Sequence, residues 1–183
     1  MTDRPDDSGA AHRLFFALWP GDGVRASLAS AVEASDLLRD AGRRVAPAKY
    51  HITLHFLGGW PTLPADMLDR ARAAAEASRC APFHLVVEHA GGFHGARVGW
   101  LAPSGNSGLD ALWSGLRHAL DDTGVPYRAH ERFAPHVTVA RDVRGRLGEA
   151  TVDPVSWPVD DFALVHSHAG RYDVVGRWPL RAP

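Results

Sequence analysis

The pattern of apolar and polar positions in the first part of the chain predicts a strand, a helix and a second strand. Residues 14–19 form a short apolar run that ends at the turn residues 20–22, as expected for a strand buried on both faces. Apolar residues between 24 and 38 then recur at helical spacing. A second strand is predicted over 50–57, and Gly58-Gly59 is expected to end it.

The rest of the pattern adds more strands and two more helices. The clearest helix covers 109–120, with Asn106 or Ser107 as its cap and Gly124 as its end. The other predicted elements are a helix near 64–79 and strands near 83–88, 97–101, 134–140, 162–165 and 171–179.

The order of elements is an internal repeat. The apolar strand 98–103 corresponds to 15–20, and each is cut by a proline and followed by an amphipathic helix and a strand that carries a histidine. In the two copies the proline precedes that histidine by 31 and by 33 residues. The repeat predicts two similar lobes that face each other.

Composition and charge restrict the class of protein. The 183 residues are 45% hydrophobic, enough for one domain with its own core, which we expect over 12–183 after a disordered tail at 1–11. A formal net charge of −1 gives no overall polycationic field for gripping DNA or an anionic membrane. The single cysteine, Cys80, excludes an internal disulfide framework. With a polar, acidic start and no apolar run near the ~20 residues of a membrane span, the chain is expected to be cytoplasmic.

Two tripeptides of the same pattern carry the candidate chemistry: His51-Ile52-Thr53 and His136-Val137-Thr138. In a strand, residues i and i+2 project from one face about 6.6 Å apart, so each imidazole lies beside a hydroxyl. If the two lobes pack about a pseudo-twofold axis, two imidazoles and two hydroxyls meet in one cleft. That set suits a phosphodiester, which needs donors for its oxygens, a base for the attacking water and an acid for the leaving oxygen. Histidine, with a reference pKa near 6.5, can serve as either acid or base.

Two other interpretations compete with catalysis. A single His-x-Thr on a strand is more often structural, but two copies at matched points of a repeat are not expected by accident. A metal site is the second rival. On a regular strand His51 and His55 share a face but lie ~13 Å apart, too far to bind one ion. His166 and His168 lack a third ligand in their segment, so no metal is expected.

Three segments of the chain resemble motifs of one protein family: residues 13–20, 51–58 and 133–141. The chain is similar over about 13–180 to the bacterial RNA 2′,3′-cyclic phosphodiesterases, historically called 2′-5′ RNA ligases, of the two-histidine phosphoesterase superfamily. The resemblance implies an α+β fold of two pseudo-twofold related lobes, with antiparallel sheets lining a central cleft and helices outside. It also implies hydrolysis of a 2′,3′-cyclic phosphate to a 2′-phosphate with no metal or other cofactor.

Carried over by position, the resemblance makes His51 the acid toward the 3′ oxygen and His136 the base on water. The near symmetry of the motifs allows these roles to be exchanged. Thr53 and Thr138 would hold phosphate oxygens. Arg141 would add a cation, although its strand parity is opposite to that of His136 unless the strand ends or bulges before it.

Two features of the family pattern are less well defined in this chain. Family members often carry a basic residue where this chain has Ala134, and Arg128 or Arg132 could replace it. The aromatic residues that could stack on a base are equally suited to a core; they are Phe56, Tyr127 and Phe133.

Three functions remain to be tested against each other. The first is the cyclic phosphodiesterase, acting on RNA 3′ ends or cyclic nucleotides and expected to be a monomer. The second is a binding module that shields RNA ends or nucleotides without chemistry. The third is 2′-5′ end joining, the reverse reaction of the same residues.

Overall fold

Strands make up most of the secondary structure of this chain. The structure is a computed structural model, and it describes residues 11–129 and 132–182. The described strands are β1 (His12–Leu18), β2 (Arg43–Arg44), β3 (Ile52–Trp60), β4 (Phe83–Phe93), β5 (Val98–Pro103), β6 (Val137–Arg141), β7 (Ala150–Val159), β8 (Asp161–His168) and β9 (Arg171–Pro179). The described helices are α1 (Asp22–Ala34), α2 (Met67–Ala77), α3 (Ser107–Asp122) and a short 3₁₀ helix at Pro47–Lys49. The tail expected over 1–11 lies outside the described residues except for Ala11.

All the described strands belong to one sheet with the order β7-β4-β5-β6-β3-β1-β8-β9, and β2 pairs with β6. Every pair of neighbours is antiparallel. The strands β3, β1, β8 and β9 form the first lobe, and β6, β5, β4 and β7 form the second. The lobes join where β3 and β6 pair at Ile52 and Val137. The expected α+β fold with two antiparallel lobes is confirmed, and the two lobes share a single sheet.

The helices pack on the face of the sheet that lies away from the two histidine motifs. Leu28 of α1, Ala71 of α2 and Leu116 of α3 are fully buried in one core with Phe16 and Ile52 of the sheet. This arrangement leaves the opposite face, here called the motif face, free of helices from that core. In the described ranges, no helix is long and apolar enough to cross a membrane.

Strand β1 is buried on both faces, as its continuous apolar sequence predicts. Phe16 points into the main core, whereas Phe15 and Ala17 belong to a smaller apolar cluster on the motif face with Ala163 and Val165 of β8. The part of the motif face that belongs to the first lobe therefore contains a cluster of buried apolar side chains.

Helix α3 begins and ends close to the predicted positions. The Oδ1 atom of Asn106 accepts a hydrogen bond from the backbone N–H of Leu109 at 3.0 Å, which identifies Asn106 rather than Ser107 as the cap. Beyond the helix, Gly124 takes a φ of +64°, a conformation that glycine adopts at little cost.

Strand β3 continues beyond the predicted end at Gly58-Gly59 and reaches Trp60. Leu14 and Arg13 of β1 pair with these two glycines, so pairing continues past a register shift at Leu57. A side chain at Gly58 would place its Cβ 2.8 Å from the ring of Trp60, and φ is +150° there. Gly58 serves this close approach, and both glycines lie within the strand and do not form a turn.

Candidate active site

The middle residues of the two motifs, Ile52 and Val137, bring the motifs together. They pair directly across β3 and β6, and both are completely buried on the core side. Because side chains alternate along a strand, Thr53 of β3 and His51, the residue just before β3, lie on the motif face. The same alternation puts His136 and Thr138 on that face from the second lobe. The structure thus brings both motifs to the centre of one sheet.

The two imidazoles are held in the same way. The Nδ1 atom of His51 donates a hydrogen bond to the carbonyl of Lys49, and that of His136 donates to the carbonyl of Ala134, both at 2.7 Å. Each acceptor lies two residues before its histidine. A neutral imidazole that donates from Nδ1 has its lone pair on Nε2, so each ring presents an acceptor to the site.

A β-bulge in β6 changes which face Arg141 occupies. Thr138 pairs with Trp100 and Ala140 pairs with Gly99, so Val139 is an extra residue without a direct partner. The extra residue reverses the alternation, and Arg141 comes to the same face as Thr138. Both line one cavity. The opposite parity expected for a regular strand is removed by this bulge.

The first lobe has a bulge at the equivalent place. Thr53 pairs with Ala17 and His55 with Phe16, so Leu54 is the extra residue. His55 is therefore turned into the core, where it is 3% exposed. The expectation that His51 and His55 share a face is wrong because of this bulge.

His55 has a structural role on the core side. Its Nε2 atom lies 2.9 Å from the carbonyl of Trp113, and its ring stacks on the indole of Trp113 with centroids 5.3 Å apart. Tyr127 packs its ring against His55, and Phe133 stacks on Trp113. Of the three aromatic residues considered for base stacking, Phe56 alone belongs to the apolar cluster of the motif face.

A cavity of about 290 Å³ opens beside His51. It contains four cationic side chains and no carboxylate among its lining residues, which are Arg43, Arg44, Val45, Ala46, Lys49, His51, Thr138, Arg141 and Tyr172. A concave surface lined by one sign of charge concentrates ligands of the opposite sign. The cavity is suited to an anion.

The four cations differ in how they are held. Arg43 donates to Asp142 at 2.9 Å, and Arg44 pairs with Glu33. The Nζ atom of Lys49 donates to the carbonyl of Gly170 at 2.6 Å. Among the described residues Arg141 has no carboxylate partner, so its charge is available to a bound anion. Sequence reasoning missed Arg43, Arg44 and Lys49, although all three lie within eight residues before His51.

His136 and Thr53 face the site without lining the cavity itself. Both are partly exposed. Within residues 11–129 and 132–182 the hydroxyls of Thr53 and Thr138 have no hydrogen-bond partner. Their donors are therefore free for a ligand. Of the proposed substitutes for the basic residue missing at Ala134, Arg128 packs its guanidinium over the ring of Phe56 at 5.1 Å.

Both imidazoles are neutral at pH 7 when no anion is bound. Burial lowers the pKa of His51 to about 4, and the neighbouring His136 and Arg141 act in the same direction, against the hydrogen bond to Lys49. Burial also lowers the pKa of His136, again with a contribution from Arg141. The charge of Arg141 therefore lowers the pKa of both imidazoles.

A second histidine cluster lies away from this site. His12 of β1 contacts His166 of β8, with 2.9 Å between Nδ1 and Nε2, and the ring of His168 stacks nearby. His168 also bonds to Asp173 at 2.7 Å. In the part of the chain that the structure describes, no group of three or more His, Cys, Asp or Glu side chains has an arrangement that could hold a metal ion.

An antiparallel sheet of two lobes, with one His-x-Thr motif from each lobe at its centre, defines the class of two-histidine phosphoesterases. The family model described as the 2′-5′ RNA ligase superfamily matches residues 24–171, and the chain belongs to that superfamily. The resemblance found in the sequence is confirmed.

Named relatives and solved structures agree with this membership. The RNA 2′,3′-cyclic phosphodiesterase of Thermus thermophilus is 34% identical over 92% of this chain and 90% of its own length. The protein of the same name from Escherichia coli K12 is 30% identical over 92% of this chain and 96% of its length. The crystal structure of E. coli LigT in complex with 3′-AMP superimposes with a TM-score of 0.78 at 28% identity, covering 92% of this chain and 98% of LigT.

Proposed function

We propose that the cavity binds a 2′,3′-cyclic phosphate at an RNA or nucleotide end and that His51 and His136 catalyse its hydrolysis to a 2′-phosphate. The protein is an enzyme, an RNA 2′,3′-cyclic phosphodiesterase, like the curated relatives that carry this name. One observation carries the proposal: two imidazoles, each with Nδ1 bound to a carbonyl, offer Nε2 at the junction of two lobes beside a cavity lined by cations.

The proposed reaction needs one acid and one base. The oxygen of water bonds to phosphorus, and the bond from phosphorus to the 3′ oxygen breaks. The base imidazole takes a proton from the water, and the acid imidazole gives its proton to the 3′ oxygen, which leaves as a hydroxyl. We assign the acid to His51 and the base to His136, and the near symmetry of the motifs keeps the exchanged assignment as the alternative. No step requires a metal.

Three further residues would hold the phosphate. The hydroxyls of Thr53 and Thr138 are donors without partners among the described residues, so they can bond to the non-bridging oxygens. The guanidinium of Arg141 stabilises the charge that grows on those oxygens. An anion bound here also raises the pKa of the acid imidazole. That imidazole can then carry the proton that it lacks when no anion is bound.

Product analysis on a short RNA ending in a 2′,3′-cyclic phosphate tests the proposal. We expect a 2′-phosphate, identified by ³¹P NMR, with EDTA leaving the rate unchanged. His51→Ala and His136→Ala should each lower turnover about 10²- to 10⁴-fold, the usual contribution of a general acid or base. His118→Ala, at an exposed position of α3, is the matched control and should keep full activity.

Other outcomes point to the alternatives. A cyclic phosphate that is bound and recovered unchanged would identify a binding module. Loss of activity in EDTA, or full activity in His136→Ala, would contradict the mechanism. End joining uses the same residues in reverse, and in water hydrolysis is favoured unless two RNA ends are held together. That the enzyme acts as a cytoplasmic monomer stays a prediction.

A further inference from the structure

The imidazole of His51 is surrounded by aromatic rings on the motif face. Trp19, which follows β1, stacks on it with centroids 5.4 Å apart and planes 15° apart. Phe15 of β1 lies 5.0 Å away at a tilt of 31°, and Tyr172 of β9 meets it edge-on at 5.6 Å. Tyr172 also contacts the rings of Phe15 and Trp19. These three rings form what we call the aromatic clamp.

The second lobe has no equivalent of this clamp among its described residues. His136 is met by a single ring, the edge of Phe93 at 4.9 Å. In the internal repeat, Pro20 corresponds to Pro103, so the residue at the place of Trp19 is Ala102. The two motifs share their backbone anchors and differ in the walls around the imidazole.

The clamp adds a restraint that the backbone hydrogen bond does not provide. A single bond from Nδ1 to the carbonyl of Lys49 fixes one atom of the ring, and the ring plane can still tilt about that contact. An indole stacked on the ring face limits the tilt and so fixes the direction of Nε2. Proton transfer depends on that direction, because reacting atoms must meet within about 3–3.5 Å in alignment.

We propose that Trp19 is a positioning residue for His51: its stacked indole holds the imidazole in the orientation from which Nε2 reaches the substrate. The inference rests on the proposed function, and it holds whether His51 is the acid or the base. It also implies that the first motif depends on the aromatic clamp, whereas the second motif functions without an equivalent.

The charged and titratable groups that face His51 must be kept constant in any test. These are His136, the residue before β6, Arg141 of β6, and the hydroxyl-bearing Tyr172 of β9. Lys49 contributes its carbonyl to His51 and places its ammonium over the ring of Tyr172 at 5.3 Å. Substitution of Trp19 changes none of these charges, so an altered titration of His51 reports the loss of the stacked ring.

The test compares Trp19→Ala, which copies the second lobe, with Trp19→Phe, which keeps a ring face. The control is Trp178→Leu, since Trp178 belongs to the same lobe but stacks on Phe162 of the core side and not on His51. Turnover of a 2′,3′-cyclic nucleotide gives kcat and KM, and NMR titration of the His51 ring protons gives its pKa without any need for activity.

We expect Trp19→Ala to lower kcat about 10- to 100-fold with KM changed less than about threefold, in line with the loss caused by a small misplacement of a reacting group. The pKa of His51 should rise toward its ordinary value as water reaches the ring. Trp19→Phe should recover most of kcat, and Trp178→Leu should keep both the kcat and the pKa of His51 of the unsubstituted enzyme.

Three results would overturn the proposal. One is an unchanged kcat and His51 titration in Trp19→Ala. Another is a rise in KM with kcat unchanged, which would make Trp19 a substrate-binding platform. The third is a Phe variant as impaired as the Ala variant. If the unsubstituted protein leaves cyclic phosphate intact, the proposed function fails, and the NMR titration still decides whether Trp19 shields the ring of His51 from water.

Discussion

Ile52 and Val137 are direct partners across β3 and β6, and each is the middle residue of a His-x-Thr motif. Their side chains are completely buried on the core side, so the residues that flank them must face the other way. One pair of apolar residues therefore sets the relative position of both imidazoles. The pseudo-twofold axis implied by the internal repeat passes between these two residues.

Removing side-chain volume at this junction should weaken the fold where the two lobes meet. Ile52→Ala is expected to lower the free energy of unfolding by about 2–5 kcal/mol, through lost burial and the cavity left behind. Ile52→Val should cost about 0.5–1.5 kcal/mol. Urea unfolding followed by circular dichroism measures both.

The control for this prediction is Val86→Ala, because Val86 is 39% exposed on β4. Its free energy of unfolding should change by no more than about 0.5 kcal/mol. An Ile52→Ala protein as stable as the Val86→Ala protein would show that the junction does not hold the lobes together.

The sequence was sufficient for features that depend on local pattern. The continuous apolar run of β1, the cap of α3 at Asn106 and the repeated His-x-Thr motifs could all be predicted because their signals lie within a few residues. The family resemblance could be recognised because it depends on short motifs of the same kind. The strand predicted over 50–57 also covers most of β3.

The bulges at Leu54 and Val139 could not be predicted, because a bulge exists only relative to the register of a neighbouring strand. Their effects are large, since one turns His55 into the core and the other brings Arg141 to the motif face. The aromatic clamp could not be predicted either. Tyr172 is far from His51 in sequence, and the order of the strands in the sheet brings the two residues together.

Arg141 should be essential for binding and stabilising the phosphate. Arg141→Gln removes the charge and keeps much of the side-chain shape. Since hydrogen bonds to charged groups contribute about 1.5–3 kcal/mol, we expect kcat/KM for a 2′,3′-cyclic nucleotide to fall about 10- to 150-fold. Arg146→Gln, at an exposed position beyond the site, is the matched control. Equal kcat/KM values for the Arg141→Gln and Arg146→Gln proteins would show that Arg141 does not act on the phosphate.

The pH dependence of kcat/KM should be bell-shaped with its maximum below the ordinary histidine pKa of about 6.5. Burial lowers the pKa of both His51 and His136, so the imidazole that must carry a proton in the free enzyme loses it as pH rises above the lowered value. Initial rates between pH 4 and 8, at substrate concentrations below KM, give this profile.

The same argument predicts how kcat differs from kcat/KM. Bound anionic substrate raises the pKa of the acid imidazole, so the alkaline limb of kcat should lie at higher pH than that of kcat/KM. Identical alkaline limbs, or a kcat/KM profile that still rises at pH 8, would contradict the assignment of His51 and His136 as acid and base.

The low pKa of His51 also makes the stability of the fold depend on pH. In the unfolded chain the imidazole binds a proton near pH 6.5, whereas in the folded protein it does so only near pH 4. The unfolded state therefore binds more protons between these values, and the free energy of unfolding should fall as pH falls from 6.5 to 4. At about 1.4 kcal/mol per pKa unit, His51 accounts for at most about 3 kcal/mol of this loss. Urea unfolding at pH 7 and pH 4.5 measures most of this loss. His51→Gln, which cannot titrate, should lose correspondingly less stability between these two pH values, while His118→Gln on the exposed face of α3 should behave as the unsubstituted protein. Parallel losses in the His51→Gln and unsubstituted proteins would mean that His51 is as accessible to protons when folded as when unfolded.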